Sequence, residues 1–298
     1  MTPLALLFLG VAVAGGALTL DRIANAVIRP VPHGADLSAG TAGLEHEEFT
    51  IGTGEQALAA LLLRGASPNA GGPLLLIAHG WGASSATVLQ LAEPLAKKGH
   101  DTLLFDMRGH GRNKAAPFVT VRNLRDDVLA AVRYAEARFA GREIVLVGHS
   151  FGGAASVLAA AEGARVTGLV LIATPSDVVR ITAEFLSDKG VPGRLAVTVL
   201  RPFWWWRIGG TFRPHSPERR IRELTLPILI IQPELDQRVH RRHAERLSEA
   251  AGVPFHIVPG REHTDVLVDP MTVRLVEEFV ERLAATPGTP ESASFPAA

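Results

Sequence analysis

The stretch IVLVGHSFGGAAS, residues 144–156, decides how the rest of the chain is read. Its first four residues, Ile144 to Val147, are apolar and mostly β-branched, with the length and composition of a buried strand. Gly148-His149-Ser150-Phe151-Gly152 follows, and then Gly153-Ala154-Ala155-Ser156, small residues suited to a helix that crosses close to a strand. Glycines at such a junction let the chain turn sharply from strand to helix, in a strained geometry that pushes the serine hydroxyl out at the carboxyl edge of a sheet. The helix starting there aims its first N–H groups at any negative charge that develops nearby.

Outward from this junction, short apolar runs alternate with helical patterns. Strands are predicted at 47–51, 57–63, 74–78, 102–105, 144–147, 168–172, 228–231 and 255–258. The first two, separated by Gly52-Thr53-Gly54, read as a hairpin. Helices are predicted at 86–98, 121–139, 151–161, 241–251 and 271–283. Alternation of this kind argues for an α/β fold with a mostly parallel sheet covered by helices on both faces. The rhythm breaks between Thr174 and Leu224, too long a gap for an ordinary connection, and the segment at about 175–224 reads as a cap insertion.

A serine hydroxyl is a weak nucleophile unless a base takes its proton, and that base needs a carboxylate to orient it. With no cysteine among 298 residues, thiolate nucleophiles, disulfides and thiolate metal sites are excluded together. Neither a phosphate-binding loop, nor a zinc-ligand spacing, nor a dinucleotide fingerprint is present.

In several motifs the chain resembles the α/β-hydrolase superfamily, over about Leu44 to Leu283. Ser150 in GHSFGG stands at the nucleophile elbow, His79-Gly80-Trp81-Gly82 matches the oxyanion loop, and Phe105-Asp106-Met107-Arg108-Gly109-His110-Gly111 matches the D-x-R-G-x-G segment after the next strand. The resemblance implies an eight-stranded, mostly parallel sheet with a cap, and a serine hydrolase of the esterase, lysophospholipase or serine aminopeptidase-like branches. It implies Ser150 as nucleophile, His263 in PGREHTD as base and Asp236 in LPILIIQPELDQRV as the orienting acid, with backbone N–H groups of Trp81 and Phe151 as oxyanion donors. Asp177 is the rival acid and His256 the fallback base. No metal and no organic cofactor is implied. Asp106, Arg108, His110 and His79 read as loop-bracing residues, and His149 as a packing residue aimed away from the serine.

The cap segment concentrates large apolar side chains, of which Phe185, Trp204 and Trp205 are candidate walls of a substrate pocket. A small-molecule or lipid-like ester or thioester with an apolar acyl or alkyl part suits such walls, with amide hydrolysis as an alternative. So is a non-catalytic protein that holds a lipid or a partner in the same pocket. Thirty basic and thirty acidic side chains cancel, which gives no reason to expect a nucleic-acid partner.

The N-terminus carries an uncharged apolar run, Pro3 to Leu20, long enough for a membrane helix. The expectation is an anchor over 1–20, a linker over 21–43, the hydrolase domain over 44–285 and a disordered tail over 286–298. Arg22 and Arg29 after the run would leave the catalytic domain in the cytoplasm. A cleaved secretory signal, with Ala12-Val13-Ala14 resembling a cleavage site, and a buried core helix are the alternatives.

Overall fold

The computed structural model describes residues 3–30, 37, 41, 43–54, 57–66 and 72–285, with side chains from residue 12 onward. Residues 31–36, 38–40 and 42 of the linker expected before Leu44, and the tail expected from Thr286, lie outside the described residues.

Eight strands form one sheet: β1 (His46–Ile51), β2 (Leu58–Leu63), β3 (Leu74–Ala78), β4 (Thr102–Phe105), β5 (Ile144–His149), β6 (Gly168–Ile172), β7 (Ile228–Pro233) and β8 (Phe255–Val258). Their spatial order is β1-β2-β4-β3-β5-β6-β7-β8. The β1–β2 and β2–β4 pairs are antiparallel and every other pair is parallel. The expected α/β-hydrolase sheet is therefore present.

Alternation of side chains along each strand explains why the central strands read as unbroken apolar runs. Leu75 and Ile77 of β3, with Val145 and Val147 of β5, face one side. There they meet α2 (Ser85–Lys97) and α9 (Pro270–Ala285), which supply Leu91, Leu95, Val276 and Phe279. Leu74 and Leu76 of β3, with Ile144 and Leu146 of β5, face the other side. That side is covered by α3 (Val121–Arg138), α4 (Phe151–Ala161) and α8 (Arg242–Ala251), through residues such as Leu124, Val128, Val157 and Leu247. Two covered faces leave no position of β3 or β5 open to solvent, while the edge strand β1 keeps His46, Glu47 and Glu48 exposed.

Between β6 and β7 the chain leaves the sheet for a helical excursion. It comprises α5 (Val178–Asp188), α6 (Gly193–Trp205) and the short α7 (Pro217–Arg220) with flanking 3-10 turns. Asp177, the rival acid, is the N-cap of α5, its Oδ1 accepting from the N–H groups of Val179 and Arg180 at 2.9 and 2.8 Å. A carboxylate occupied in this way at a helix start performs a capping role.

The N-terminal expectation needs correction. Among the described residues, no helix is long and apolar enough to cross a membrane. A single-pass anchor with a cytoplasmic catalytic domain is thus not the arrangement found. Helix α1 (Pro3–Val27) runs past the apolar segment through Asp21 and Arg22 into the region expected as linker. Its last turns pack on the excursion between β6 and β7: Ala24 is fully buried in a cluster with Val197, Leu200 and Trp204 of α6.

Candidate active site

The junction at residues 148–153 folds as it does because close approach demands glycine there. A Cβ on Gly148 would lie 2.4 Å from the Gly153 Cα, and one on Gly152 would lie 2.3 Å from the Ala78 carbonyl oxygen. Helix α4 therefore sits directly against the ends of β3 and β5. Ser150 makes the turn with φ 54° and ψ −125°, a conformation that a non-glycine residue holds only under constraint. Its N–H continues the β5–β6 ladder by donating to the Ile172 carbonyl at 2.9 Å. Phe151 opens α4, so its N–H is one of the donors a helix start leaves without an intrahelical partner.

His263 and Asp236 come from loops after β8 and β7. Those loops are tied together: Glu234 N–H donates to the Val258 carbonyl at 3.0 Å, and Leu235 N–H to the Arg261 carbonyl at 2.8 Å. The Asp236 carboxylate divides its two oxygens. Oδ1 accepts the N–H groups of Arg238 and Val239 at 2.9 and 2.8 Å, while Oδ2 meets His263 Nδ1 at 2.8 Å. An Nδ1–H donated to that oxygen leaves Nε2 as the imidazole's basic nitrogen. Ser150 and His263 both line one cavity of about 520 Å³. His256, the fallback base, lies within β8 and is not on that cavity wall.

Two further histidines hold this geometry. His79 bonds the Gly80 carbonyl through Nδ1 at 2.7 Å and accepts the Met107 N–H at Nε2 at 2.9 Å, which fixes a neutral tautomer. Burial, with the neighbouring His110 adding to it, lowers its pKa to about 4. The ring thereby ties the loop carrying Trp81 to the segment after β4. Asp106 in that segment is fully buried; although burial alone would raise its pKa, the N–H groups of Ser85 and Arg112 hold it below the ordinary value. The bracing role expected for this motif has this hydrogen-bond basis.

His149 does more than pack. Its Nε2–H donates to the His263 carbonyl at 2.8 Å, and the two rings lie 4.8 Å apart. Burial lowers its pKa to about 3, helped by His263. The elbow thus reaches across to the loop that carries the candidate base. Only tertiary contact could have revealed this, since 114 residues separate the partners.

Of the expected pocket residues, Trp204 and Phe185 line the cavity and Trp205 does not. Trp205 stands 56% exposed on the far side of α6, whose buried face is Val197, Leu200 and Trp204. Spacing of three and four residues keeps those on one face, and the next residue turns about 100° away. Residues without a signal in the sequence complete the wall: Val27, Ile28, Val121, Ile181, Ile208 and Val239.

A second serine, histidine and acid also lie in line. Ser176 Oγ is 3.0 Å from His243 Nδ1, and His243 Nε2 is 2.9 Å from Glu184 Oε2. Here the imidazole is reversed, with Nδ1 also accepting the Ser176 backbone N–H at 3.1 Å. Ser176 and His243 are fully buried and neither lines the cavity, so the group straps α5 to α8 and offers substrate no access. Among the described residues, no cluster of three or more His, Asp or Glu side chains is placed to hold a metal ion.

Comparison with known proteins agrees with the architecture. Residues 73–201 match the family described as alpha/beta hydrolase fold. An uncharacterised protein of Mycobacterium tuberculosis is 28% identical over 199 residues, covering 65% of this chain and 64% of its own. The chain thus spans just under two thirds of that relative's length. An esterase of Pyrococcus furiosus superposes with a TM-score of 0.66 at 18% identity, over 86% of this chain and 97% of its own. A proline iminopeptidase of Mycobacterium smegmatis does so at 0.62 and 15%, over 80% and 100%. Sheet order, the strand-to-helix junction and these matches together show the α/β-hydrolase fold, with the family match confined to residues 73–201.

Proposed function

We propose that this protein is a serine hydrolase that cleaves a carboxylic ester or thioester carrying an apolar acyl or alkyl chain. The observation that supports it most directly is the convergence of Ser150 and the Asp236-held His263 on one largely apolar cavity. The Pyrococcus protein that shares the fold is described as an esterase, which is consistent with ester chemistry but carries no substrate across at 18% identity.

In this reading Ser150 Oγ attacks the carbonyl carbon while His263 Nε2 takes its proton. Asp236 holds the imidazole and stabilises the imidazolium that results. The negative oxygen of the tetrahedral intermediate is received by the backbone N–H groups of Phe151 and Trp81, each such donor contributing about 3–4 kcal/mol to a rate of this type. Collapse expels the alcohol or thiol, protonated by His263, and leaves an acyl-Ser150. Water then repeats the sequence with His263 as base, and the free acid departs.

A fluorophosphonate probe tests the nucleophile, and a panel of ester, thioester and amide leaving groups tests the bond. Labelling that survives Ser150→Ala, or folded protein that does not label, refutes the reading. Preference for amides over matched esters moves the protein to the peptidase-like alternative.

A further inference from the structure

The cavity wall includes two residues that belong neither to the sheet nor to the excursion between β6 and β7. Val27 ends α1 and Ile28 follows it, and both line the same space as Ser150 and His263. The segment from Leu20 to Pro30 is secured on two sides. Towards α6, Ala24 is fully buried, and its carbonyl, one of those a helix end leaves unpaired, accepts Trp204 Nε1–H at 2.9 Å. Asp21 pairs with the guanidinium of Arg207 at 2.7 Å, and the Arg207 side chain is almost completely buried. Towards the sheet, the Ile28 carbonyl accepts the Val119 N–H at 2.8 Å. Pro30 packs so closely on Gly109 that a Cβ there would lie 2.7 Å from the Pro30 Cγ.

A segment held at both edges is a fixed wall. Its two cavity-lining side chains are apolar and half-buried, and with the excursion residues Val179 and Phe212 they pack on the cluster of Ala24, Val197, Leu200 and Trp204. Trp204 has a double part, lining the cavity itself while its indole N–H fastens α1. The region matched by the family begins only at residue 73, so this wall is a property of the chain outside the matched segment.

We infer that the Leu20–Pro30 segment is a substrate-selecting wall, in which Val27 and Ile28 limit the length of apolar chain that the cavity admits. This rests on the ester-hydrolase reading of Ser150. Apolar pockets discriminate by volume, and a single methylene that fits or fails to fit changes specificity by about 10- to 200-fold. Replacing Ile28 or Val27 by tryptophan adds several such units at the wall, whereas Ile28→Ala removes bulk.

The test uses the full chain and two fluorophosphonate probes, one with a methyl and one with a dodecyl chain, so that it reads entry to the site without needing turnover. Ile28→Trp and Val27→Trp are expected to lower the dodecyl-to-methyl ratio of labelling rates by at least about tenfold. Ile28→Ala is expected to raise the ratio, and it serves if either tryptophan variant fails to fold. Folded variants with the wild-type ratio overturn the wall. Wild-type protein that labels with neither probe overturns the reading of Ser150 itself, and the wall with it. The corresponding series of p-nitrophenyl esters, from acetate to dodecanoate, should show the same shift in kcat/KM.

Discussion

Gly152→Ala sets two energetic effects of opposite sign against each other. Gly152 lies in the first turn of α4 with helical backbone, so alanine there should stabilise the helix by about 1 kcal/mol on propensity alone. Packing acts the other way. The new Cβ would stand 2.3 Å from the Ala78 carbonyl oxygen and 2.4 Å from that of His79, where ordinary contact begins at 3.4 Å. Both obstacles are backbone at the end of a central strand, so no side chain can rotate away. Relief requires α4 to withdraw by about 1 Å, and overpacking of this kind costs ~1–3 kcal/mol. The rigid obstacle puts the cost at the upper end, giving a net loss of roughly 2 kcal/mol and a fall in Tm of about 4–8 °C. Withdrawal also carries Ser150 away from the loop of Trp81. A displacement near 1 Å at a reacting centre costs on the order of 100-fold in rate. Thermal unfolding and the second-order rate of fluorophosphonate labelling measure the two effects separately. Gly15→Ala, in α1 with nothing within 4 Å of its Cβ, is the matched control and should lower neither. A Gly152→Ala protein with undiminished Tm and wild-type labelling would refute the close-packing account of the elbow.

Asp236→Asn should leave the fold intact and reduce turnover by ~10⁴, because the imidazole loses both its tautomer and its counter-charge; ester hydrolysis at saturating substrate measures it, and a loss under tenfold contradicts the assignment. Ser176→Ala should label as wild type does, since the Ser176–His243–Glu184 line is sealed from the cavity; loss of labelling in a folded variant would contradict that. Trp204→Phe leaves the Ala24 carbonyl unpaired in a buried contact and should cost about 1–3 kcal/mol, read as a lower Tm. Stability should fall as pH drops below 6.5, the ordinary histidine value, because His79 and His149 stay neutral in the fold down to about 4 and about 3 while the unfolded chain takes up protons. The slope approaches about 1.4 kcal/mol per pH unit for each such histidine. Burial shifts His100, His215 and His243 in the same direction. Denaturation midpoints that do not change between pH 7 and pH 5 would argue against neutral burial.

Much of the architecture was legible because the information is local. Runs such as Leu74–Ala78 and Ile144–Val147 are apolar at every position, and only strands covered on both faces need that. The elbow was legible for the same reason, since its glycines contact residues within the same short stretch or the neighbouring strand end. The walls of the cavity were not. Trp204 and Trp205 are equivalent as residue types, and only the orientation of α6 against Ala24 decides which one turns inward. The apolar run at the N-terminus had the composition of a membrane helix, but composition does not reveal that Leu20, Ala24 and Val27 at the end of that helix have apolar partners on α6.

The sequence alone determined an α/β sheet and its strand-to-helix junction at Ser150, because both are written in neighbouring residues through turn geometry and side-chain alternation, whereas the order of candidate serine, acid and histidine came from the family resemblance. Tertiary structure alone decided that His149 grips the His263 loop, that Ser176 and His243 are sealed away, and that Val27 and Ile28 line the same cavity as Ser150. Those outcomes depend on residues from about sixty to more than a hundred positions apart, for which local pattern carries no signal.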